Sequence, residues 1–347
     1  MSQPGDSKIQ RSVSEAFDAE ALAIVLSRYD LGSIDRLCLL ERGSRDAPKL
    51  VIECQRGVRL LKRRTESADR LARTITAHTL RARLHDAGVP IPRTIASREG
   101  ETLLRHHAQL YELFEFVSLE PFARRPRQAH EAGRTLAVFH AVAESIDASG
   151  TRTPAYHAIP KTSERLRALP ERLGEPELGS TCESLADAYD AARQAARDAG
   201  VERWPAVTIH GDWHPGNLAF DRDRVGAIYD LDTIRTGPRA LDIASGAFQF
   251  SSDRIPNNAS DWAVGVDETL FRAFCDGYDA GARSPISRAE VAALPALMIE
   301  SLVAEALGPI ATTGRFGVIS ARDFLPAVAR RVGWIERSAD SLRAILG

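Results

Sequence analysis

The texture of the chain changes near Pro121, and this change limits the fold more than any other feature of the sequence. Before it, between Ile34 and Arg63, short apolar runs are separated by the turn-forming stretches RGSRDAP and QRG, which predicts three antiparallel strands. Beyond it, apolar residues recur at helical spacing almost to the end, interrupted by one strand-like segment from Val207 to Tyr229. The sequence therefore predicts an α+β fold, with a small β-rich part and a larger helical part.

Helices and further strands are predicted on both sides of this change. In the first part, Ala16–Tyr29 and Ala68–Ala87 have helical periodicity, the second ending at Gly88. Two more strands are expected near Thr102–Leu104 and Gln109–Val117. The helices predicted in the second part are Pro126–Ser145, Ser163–Leu173, Cys182–Ala199, Ala240–Gln249, Val266–Gly277, Arg288–Leu307 and Ala321–Ile345.

Length and charge narrow the class of protein. A chain of 347 residues holds one large or two modest domains, and we expect a flexible tail over residues 1–12 and domains over 13–116 and 117–347. With 45 Lys and Arg against 47 Asp and Glu, there is no overall basic field to attract nucleic acid. No uninterrupted apolar run approaches the roughly 20 residues of a membrane-spanning helix, so we expect no membrane partner.

The cysteines and the N-terminus favour a cytoplasmic location. Cys38, Cys54, Cys182 and Cys275 lie far apart and lack zinc-ligand spacing, which is typical of reduced thiols. The first fifteen residues lack the apolar core of a secretory signal. The oligomeric state cannot be derived from these features.

The strand-like segment carries the residues best suited to chemistry. Asp212 and Asn217 have the D-x-x-x-x-N spacing of the protein-kinase catalytic loop, in which the Asp orients a hydroxyl and the Asn binds Mg²⁺. Asp230 follows the apolar run VGAIY and would supply a second oxygen ligand for this hard cation. We therefore predict Asp212 as the catalytic residue, and Asn217 and Asp230 as metal ligands.

Three motifs in order give this segment a family resemblance. Residues 210–217, HGDWHPGN, resemble the H-G-D-x-H-x-x-N pattern of aminoglycoside phosphotransferase-like and choline-kinase-like enzymes. Residues 228–232 and 237–244 are similar to the metal-binding and G-x-x-x-x-D-[LI]-A segments of this family. Residues 111–117 and 132–140 look most like its spore-coat-kinase and type II homoserine-kinase-like branch.

The resemblance implies a bilobal protein-kinase-like fold, with an N-terminal antiparallel sheet lobe and a helical C-terminal lobe. It also implies transfer of the γ-phosphoryl group from ATP to a hydroxyl of a small acceptor, with Mg²⁺ as cofactor. His210 would organise the catalytic loop, and His214 would either pack in that loop or contact the substrate. Asp242 would be a buried carboxylate that accepts backbone N–H groups from the loop.

Residues for the nucleotide are expected in the first part. Lys62, at the end of the third strand, is the expected phosphate-binding lysine, with Arg63 as the alternative; Arg63 and Arg64 are otherwise expected to face solvent. Ser44 lies in the loop where a phosphate-covering hairpin belongs, although this loop has one glycine and is also compatible with an ordinary turn. Glu115 and Val117 would hold adenine by their main chain.

One departure concerns the partner of Lys62. Kinases pair this lysine with a helix glutamate, but the 68–87 helix contains none. Glu66, Asp69 and His78 are the alternatives near the expected place, and the departure leaves a nucleotide-binding pseudoenzyme open as a second class of function.

The acceptor is the least constrained part of the prediction. Trp213, Glu300, Glu305 and the helices around Asp253–Trp262 are possible acceptor contacts. Only nine residues, Thr233–Leu241, precede the next helix, which favours a small acceptor over the protein substrate of a bacterial stress kinase. The resemblance leaves aminoglycosides, amino alcohols, homoserine, sugars and thio-sugars all open as acceptors.

Overall fold

The computed structural model describes residues 13–40, 47–146, 159, 161–252 and 259–346. The chain divides into two compact units, Met1–Leu119 and Glu120–Gly347. The predicted boundary between residues 116 and 117 lies close to this division, while the predicted tail, residues 1–12, lies outside the described residues.

The first unit is an antiparallel sheet with two helices. Its elements are α1 (Ala19–Ser27), β1 (Ile34–Leu40), β2 (Lys49–Cys54), β3 (Gly57–Thr65), α2 (Ala68–Asp86), β4 (Thr94–Ile95), β5 (Leu104–His106) and β6 (Gln109–Glu115). The strand order is β1-β2-β3-β6-β4, with β5 also paired to β6. The five predicted strands and both helices are found, although β5 shares only Leu104 with its predicted range, Thr102–Leu104. The two-residue strand β4 was not predicted.

The two faces of this sheet have different partners. Leu50, Leu61 and Leu113 project from neighbouring strands into one core, which they share with Leu22 and Tyr29 from the α1 region. Side chains alternate along a strand, so the residues next to these leucines point to the other face, on which α2 packs. Lys62 and Arg64 of β3 and Glu112 of β6 are therefore brought together beneath α2.

The second unit is mostly helical. Its elements are α3 (Pro126–Ala143), α4 (Thr162–Arg167), α5 (Leu169–Leu173), α6 (Gly179–Asp198), β7 (Ala206–Ile209), β8 (Leu218–Asp221), β9 (Arg224–Ile228), β10 (Arg235–Pro238), α7 (Ala240–Ser251), α8 (Glu268–Gly281), α9 (Arg288–Thr313), β11 (Arg315–Phe316), β12 (Ile319–Ser320), α10 (Ala321–Arg337) and α11 (Ala339–Leu346). Two predicted helices, Ser163–Leu173 and Ala321–Ile345, are each divided in two. Strand β10 and the β11–β12 hairpin were not predicted.

Helix α9 is the one described helix whose length and composition would allow it to cross a membrane. However, 72% of its most apolar window is buried inside the structure. Its neighbours include α6, α7 and α10, and core helices of globular proteins meet the same criteria of length and apolar content. The helix is therefore weak evidence for a membrane span.

Helices α3 and α8 cross with their backbones in close contact. A Cβ atom added to Gly277 of α8 would lie 1.9 Å from the carbonyl oxygen of His130, and one added to Gly133 of α3 would lie 1.9 Å from that of Phe274. Neither position accommodates a side chain, because the atoms in the way belong to helix backbone. Glycine at both positions therefore sets the separation of the two helices.

We expect Gly277→Ala to lower the free energy of unfolding by about 1–3 kcal/mol, because α3 and α8 must move apart to accept the methyl group. Chemical denaturation followed by far-UV circular dichroism measures this change. Gly308→Ala is the matched control, since that helical glycine faces open space and alanine there should be neutral or stabilising by about 0.5–1 kcal/mol. Equal stability of the two variants would contradict the assigned contact.

Candidate active site

The loop that carries Asp212 runs from the end of β7 to the start of β8. Strand β7 pairs antiparallel with β10, and this pairing places the loop beside Thr233 and Arg235. Gly211 has φ +76°, and a Cβ atom there would lie 2.5 Å from the Thr233 carbonyl oxygen. The loop therefore requires glycine immediately before Asp212.

Asp242, in the first turn of α7, anchors this loop as the sequence predicts. Its Oδ2 accepts the backbone N–H of His210 at 2.6 Å, and its Oδ1 accepts that of Gly211 at 2.8 Å. His140 Nε2 donates to Oδ2 at 3.0 Å, and the Tyr278 hydroxyl donates to Nδ1 of the same ring at 2.9 Å. Burial raises the pKa of Asp242, but His140 and the backbone donors outweigh it and hold the pKa below its usual value.

His210 organises the loop through its main chain and by packing. Burial lowers the pKa of its ring, which packs against Phe139 and Trp213. Neither ring nitrogen has a hydrogen-bond partner among the described residues. Because the ring is buried and its nitrogens have no such partner, the described residues show no path for proton exchange by this side chain. The carbonyl oxygen of His210 accepts a hydrogen bond from the Thr233 hydroxyl at 2.9 Å.

The Asp212 carboxylate is held by two neighbours from its own loop. Asn217 Nδ2 donates to its Oδ2 at 3.0 Å, and His214 Nε2 lies 3.5 Å from the same oxygen. Burial raises the pKa of Asp212, but His214 and Asn217 bring it below the usual value. Both contacts are made to Oδ2, so in the described part of the chain Oδ1 is the oxygen left to face a substrate hydroxyl.

His214 combines a loop contact with a charged environment. Its Nδ1 accepts the backbone N–H of Gly216 at 3.0 Å. Burial lowers its pKa, but Asp212, Glu305 and Asp230 together raise the pKa above its usual value. The loop-packing alternative is thus observed, and a substrate contact by His214 stays a prediction.

Asn217 and Asp230 meet the chemical requirements of a magnesium site. Asn217 uses its Nδ2 to hold Asp212, so its Oδ1 points away from Asp212 and is the atom that would bind a cation. The Asn217 carbonyl oxygen also accepts the backbone N–H of Tyr229 at 2.8 Å, which ties this loop to the segment of Asp230. Asp230 has φ +55°, a strained conformation often found at functional sites. The two hard oxygen donors fit Mg²⁺ completed by phosphate oxygens; among the described residues no cluster of three or more His, Cys, Asp or Glu could hold a metal by itself.

The predicted nucleotide residues in the first unit are only partly described. Ser44 lies outside the described residues. Lys62 is 4% exposed and projects to the sheet face covered by α2. Glu115 donates its N–H to the Arg93 carbonyl oxygen and ion-pairs with Arg93 through its side chain. An adenine contact by Glu115 would therefore use its carbonyl oxygen, as predicted for main-chain recognition. An adenine contact by Val117 stays a prediction.

The expectation that Arg64 faces solvent is wrong. Arg64 is buried, and its guanidinium lies 2.6 Å from Glu112 Oε2. Arg63 points to the opposite face of the sheet, where it stacks over the Phe17 ring. The sequence could not show this, because a basic run at a strand end gives no sign of a carboxylate on the paired strand.

Two of the predicted acceptor contacts are in the protein core. Trp213 has no exposed surface and packs beside Phe139 and His210. Glu300 of α9 is also fully buried, so neither side chain faces an acceptor in this structure. Glu305 is half-buried. Its charge raises the pKa of His214, which indicates that Glu305 lies near the catalytic loop. Of the predicted helical region around Asp253–Trp262, residues 253–258 lie outside the described residues, and Trp262 packs on Phe324.

Three residues of this machinery received no role from the sequence. His140 and Glu112 lie in segments used only for the family resemblance, while Tyr278 carried no signal at all. Tyr278 is 138 residues from its partner His140 in the sequence, and Glu112 is 34 residues from its partner His78. Only the fold brings such residues together.

Comparisons with known proteins identify the family and the fold of this chain. The sequence model of the phosphotransferase enzyme family matches residues 38–285. A homoserine kinase from Rhodopseudomonas palustris is 28% identical over 297 residues, covering 80% of each chain. A microcompartment-associated aminopropanol kinase has a TM-score of 0.71 at 17% identity, covering 94% of this chain and 98% of its own. An amicoumacin kinase, solved with AMP-PNP and Ca²⁺, has a TM-score of 0.68 at 12% identity, covering 94% and 96%.

The match spans most of the chain, and the likenesses to solved kinases extend over both units. The kinase-like α+β fold predicted from the sequence is thereby confirmed, as is the expectation of homoserine-kinase relatives. The chain belongs to the phosphotransferase enzyme family and is a small-molecule kinase.

Glu300 gives a test of the buried electrostatics in this unit. Neither carboxyl oxygen has a hydrogen-bond partner among the described residues, and burial raises the pKa of Glu300 to about 8. Between the usual pKa of 4.5 and about 8, the folded chain retains a proton that the unfolded chain releases. The stability of the wild type should therefore fall as pH rises through this window.

We expect Glu300→Gln to become progressively more stable than the wild type over this pH range, by up to about 1.4 kcal/mol per pH unit. Urea unfolding at several pH values between 5 and 9 measures the difference. Glu171→Gln, at an exposed position, is the control and should show no such pH-dependent difference. A Glu300→Gln curve parallel to that of the wild type would disprove the raised pKa.

Proposed function

We propose that this protein transfers the γ-phosphoryl group of ATP to a hydroxyl of a small acceptor that carries an ammonium group. The observation that carries the proposal is the Asp212 carboxylate, kept ionised on a loop whose backbone is fixed by Asp242. A phosphoryl transferase needs little covalent chemistry from the protein and depends on positioning and charge stabilisation.

Asp212 would orient and deprotonate the acceptor. Its carboxylate accepts a hydrogen bond from the acceptor hydroxyl and directs the oxygen lone pair toward the γ-phosphorus. As the new O–P bond forms, the bond from the γ-phosphorus to the β–γ bridging oxygen breaks and ADP leaves. The hydroxyl proton passes to Asp212 late in this step. The lowered pKa of Asp212 suits it to orientation more than to early proton removal.

Asn217 and Asp230 would hold Mg²⁺ against the phosphates. When bound, the ion neutralises charge that develops on the phosphate oxygens. Because Asn217 also donates to Asp212, the same amide would link the position of the metal ligand to that of the base. Magnesium dependence of turnover is part of this proposal.

The ammonium group on the acceptor is inferred from charge and from relatives. Glu305 provides a half-buried anion near His214 and the catalytic loop. The homoserine kinase and the aminopropanol kinase act on amino-bearing alcohols, as their names state. We therefore propose homoserine and short amino alcohols as the first acceptors to test. The cytoplasmic location expected from the sequence stays a prediction.

We expect Asp212→Asn to reduce acceptor-dependent ATP turnover by about 10²–10⁴-fold, the range for removing a positioned general base. A coupled ADP-release assay with a panel of amino alcohols measures this, and calorimetric titration with AMP-PNP checks that nucleotide binding is retained. Asp221→Asn, an exposed carboxylate three positions beyond the start of β8, is the matched control. If the wild type binds AMP-PNP but turns over no acceptor in the presence of Mg²⁺, the pseudoenzyme alternative replaces this proposal.

We expect Glu305→Gln to raise KM for an aminated acceptor by about tenfold and to leave KM for ATP unchanged, because only the acceptor loses an ionic contact. Steady-state kinetics with an amino alcohol and with its deaminated analogue separate the two effects. The variant should treat the deaminated analogue as the wild type does. An equal rise in KM for both acceptors would argue against recognition of the ammonium group.

A further inference from the structure

We propose that Glu112, on strand β6, takes the place of the helix glutamate of kinases and positions Lys62 for phosphate binding. This inference rests on the proposed function, because Lys62 is expected to contact the nucleotide phosphates. It also explains how Lys62 could be positioned although α2 contains no glutamate, which is the main difference between this sequence and that of a competent kinase.

The sheet register brings the two residues together. Lys62 of β3 lies directly opposite Glu112 of β6 in the antiparallel pair, so their side chains project from the same face of the sheet. Both are buried, with exposed fractions of 4% and 2%. The charge of Lys62 lowers the pKa of Glu112, which is the electrostatic sign of their proximity.

Glu112 is fixed by two further partners. His78 of α2 donates from Nε2 to Glu112 Oε1 at 2.7 Å, and the Arg64 guanidinium lies 2.6 Å from Oε2. His78 is itself held through Nδ1, which lies 3.0 Å from the Thr102 hydroxyl. Burial raises the pKa of Glu112, but His78, Arg64 and Lys62 bring it below its usual value, so the carboxylate is ionised near neutral pH.

The other acidic residues near Lys62 in sequence are placed elsewhere. Asp69, in the first turn of α2, is exposed, and Glu66 ion-pairs with Arg105 at 3.1 Å. His78 occupies the part of α2 where a kinase glutamate is expected, but its ring reaches Glu112. The helix thus contributes an imidazole that is hydrogen-bonded to the Glu112 carboxylate, and the sheet contributes the carboxylate itself.

The arrangement has an electrostatic consequence. Lys62 and Arg64 lie two positions apart on one strand, so both point to the face that carries Glu112. One carboxylate shared between two buried cations limits their mutual repulsion and leaves a net positive charge. Such a charge favours phosphate groups, and a fixed Glu112 keeps the lysine from adopting other rotamers.

The test relocates the carboxylate instead of only deleting it. We expect Glu112→Gln to weaken AMP-PNP binding by about tenfold and to leave adenosine binding unchanged, because only the phosphates contact Lys62. The double variant with Glu112→Gln and His78→Glu returns a carboxylate to α2, and should recover AMP-PNP affinity to within about threefold of the wild type. Glu20→Gln, at an exposed position in α1, is the control and should bind both ligands normally.

Calorimetric titration of the full chain in the presence of Mg²⁺ gives all affinities, and circular dichroism confirms that each variant is folded. Wild-type AMP-PNP affinity in Glu112→Gln, or an equal loss for AMP-PNP and adenosine, would overturn the positioning role. So would a folded double variant that recovers nothing. If Glu112→Gln does not fold, the conservative Glu112→Asp gives the same comparison of the two ligands. These results are independent of Asp212→Asn, whose failure would concern catalysis and not nucleotide binding.

Discussion

The second unit depends on one carboxylate that is buried and nevertheless charged. Asp242 has 2% of its surface exposed, and transfer of an isolated carboxylate to such a place would be costly. Two backbone N–H groups and the His140 ring compensate for the lost water. Because the two backbone donors are those of the residues just before Asp212, the stabilisation of Asp242 and the shape of the catalytic loop are the same set of hydrogen bonds.

The first unit also contains a buried carboxylate that is held by polar and charged partners, but this one lies beside the strand lysine. Glu112 is also a buried carboxylate with charged or polar partners on several sides, and it also has a histidine reaching it from a helix. In each case the histidine comes from an element distant in sequence from the carboxylate. A helix glutamate is thus one way to supply a negative charge beside a strand lysine, and a cross-strand glutamate is another.

Much of this architecture could be predicted from local patterns. Strands β1–β3 and helices such as α2 and α3 follow from period and turn residues, and the catalytic loop follows from the spacing of Asp212, Asn217 and Asp230. The very short strands β4, β11 and β12 escaped prediction, because two residues carry no measurable period. Trp213 and Glu300 were misread for a different reason: residue type indicates what a side chain can contact, whereas burial is decided by packing between distant helices.

The long-range partners had no local signal. From the sequence, a histidine at the end of an amphipathic helix, such as His140, resembles an ordinary core residue. The structure shows that it is hydrogen-bonded to both Tyr278 and Asp242. Likewise, Glu112 lies in a strand that is otherwise apolar, and only the register with β3 reveals Lys62 across from it. Sequence spacing predicts groups that act within one loop, while groups that support them from other elements require the fold.

The glycine contact between α3 and α8 has a mechanical consequence for the loop. His140 is carried by α3 and Tyr278 by α8, so the helix separation sets the length of the hydroxyl–imidazole–carboxylate chain that ends at Asp242. The two hydrogen bonds of this chain are 2.9 and 3.0 Å long, and a separation of about 3.6 Å would break either of them. The tolerance of the loop geometry is therefore set by two residues that have no side chain, Gly133, which precedes His140 on α3, and Gly277, which directly precedes Tyr278 on α8.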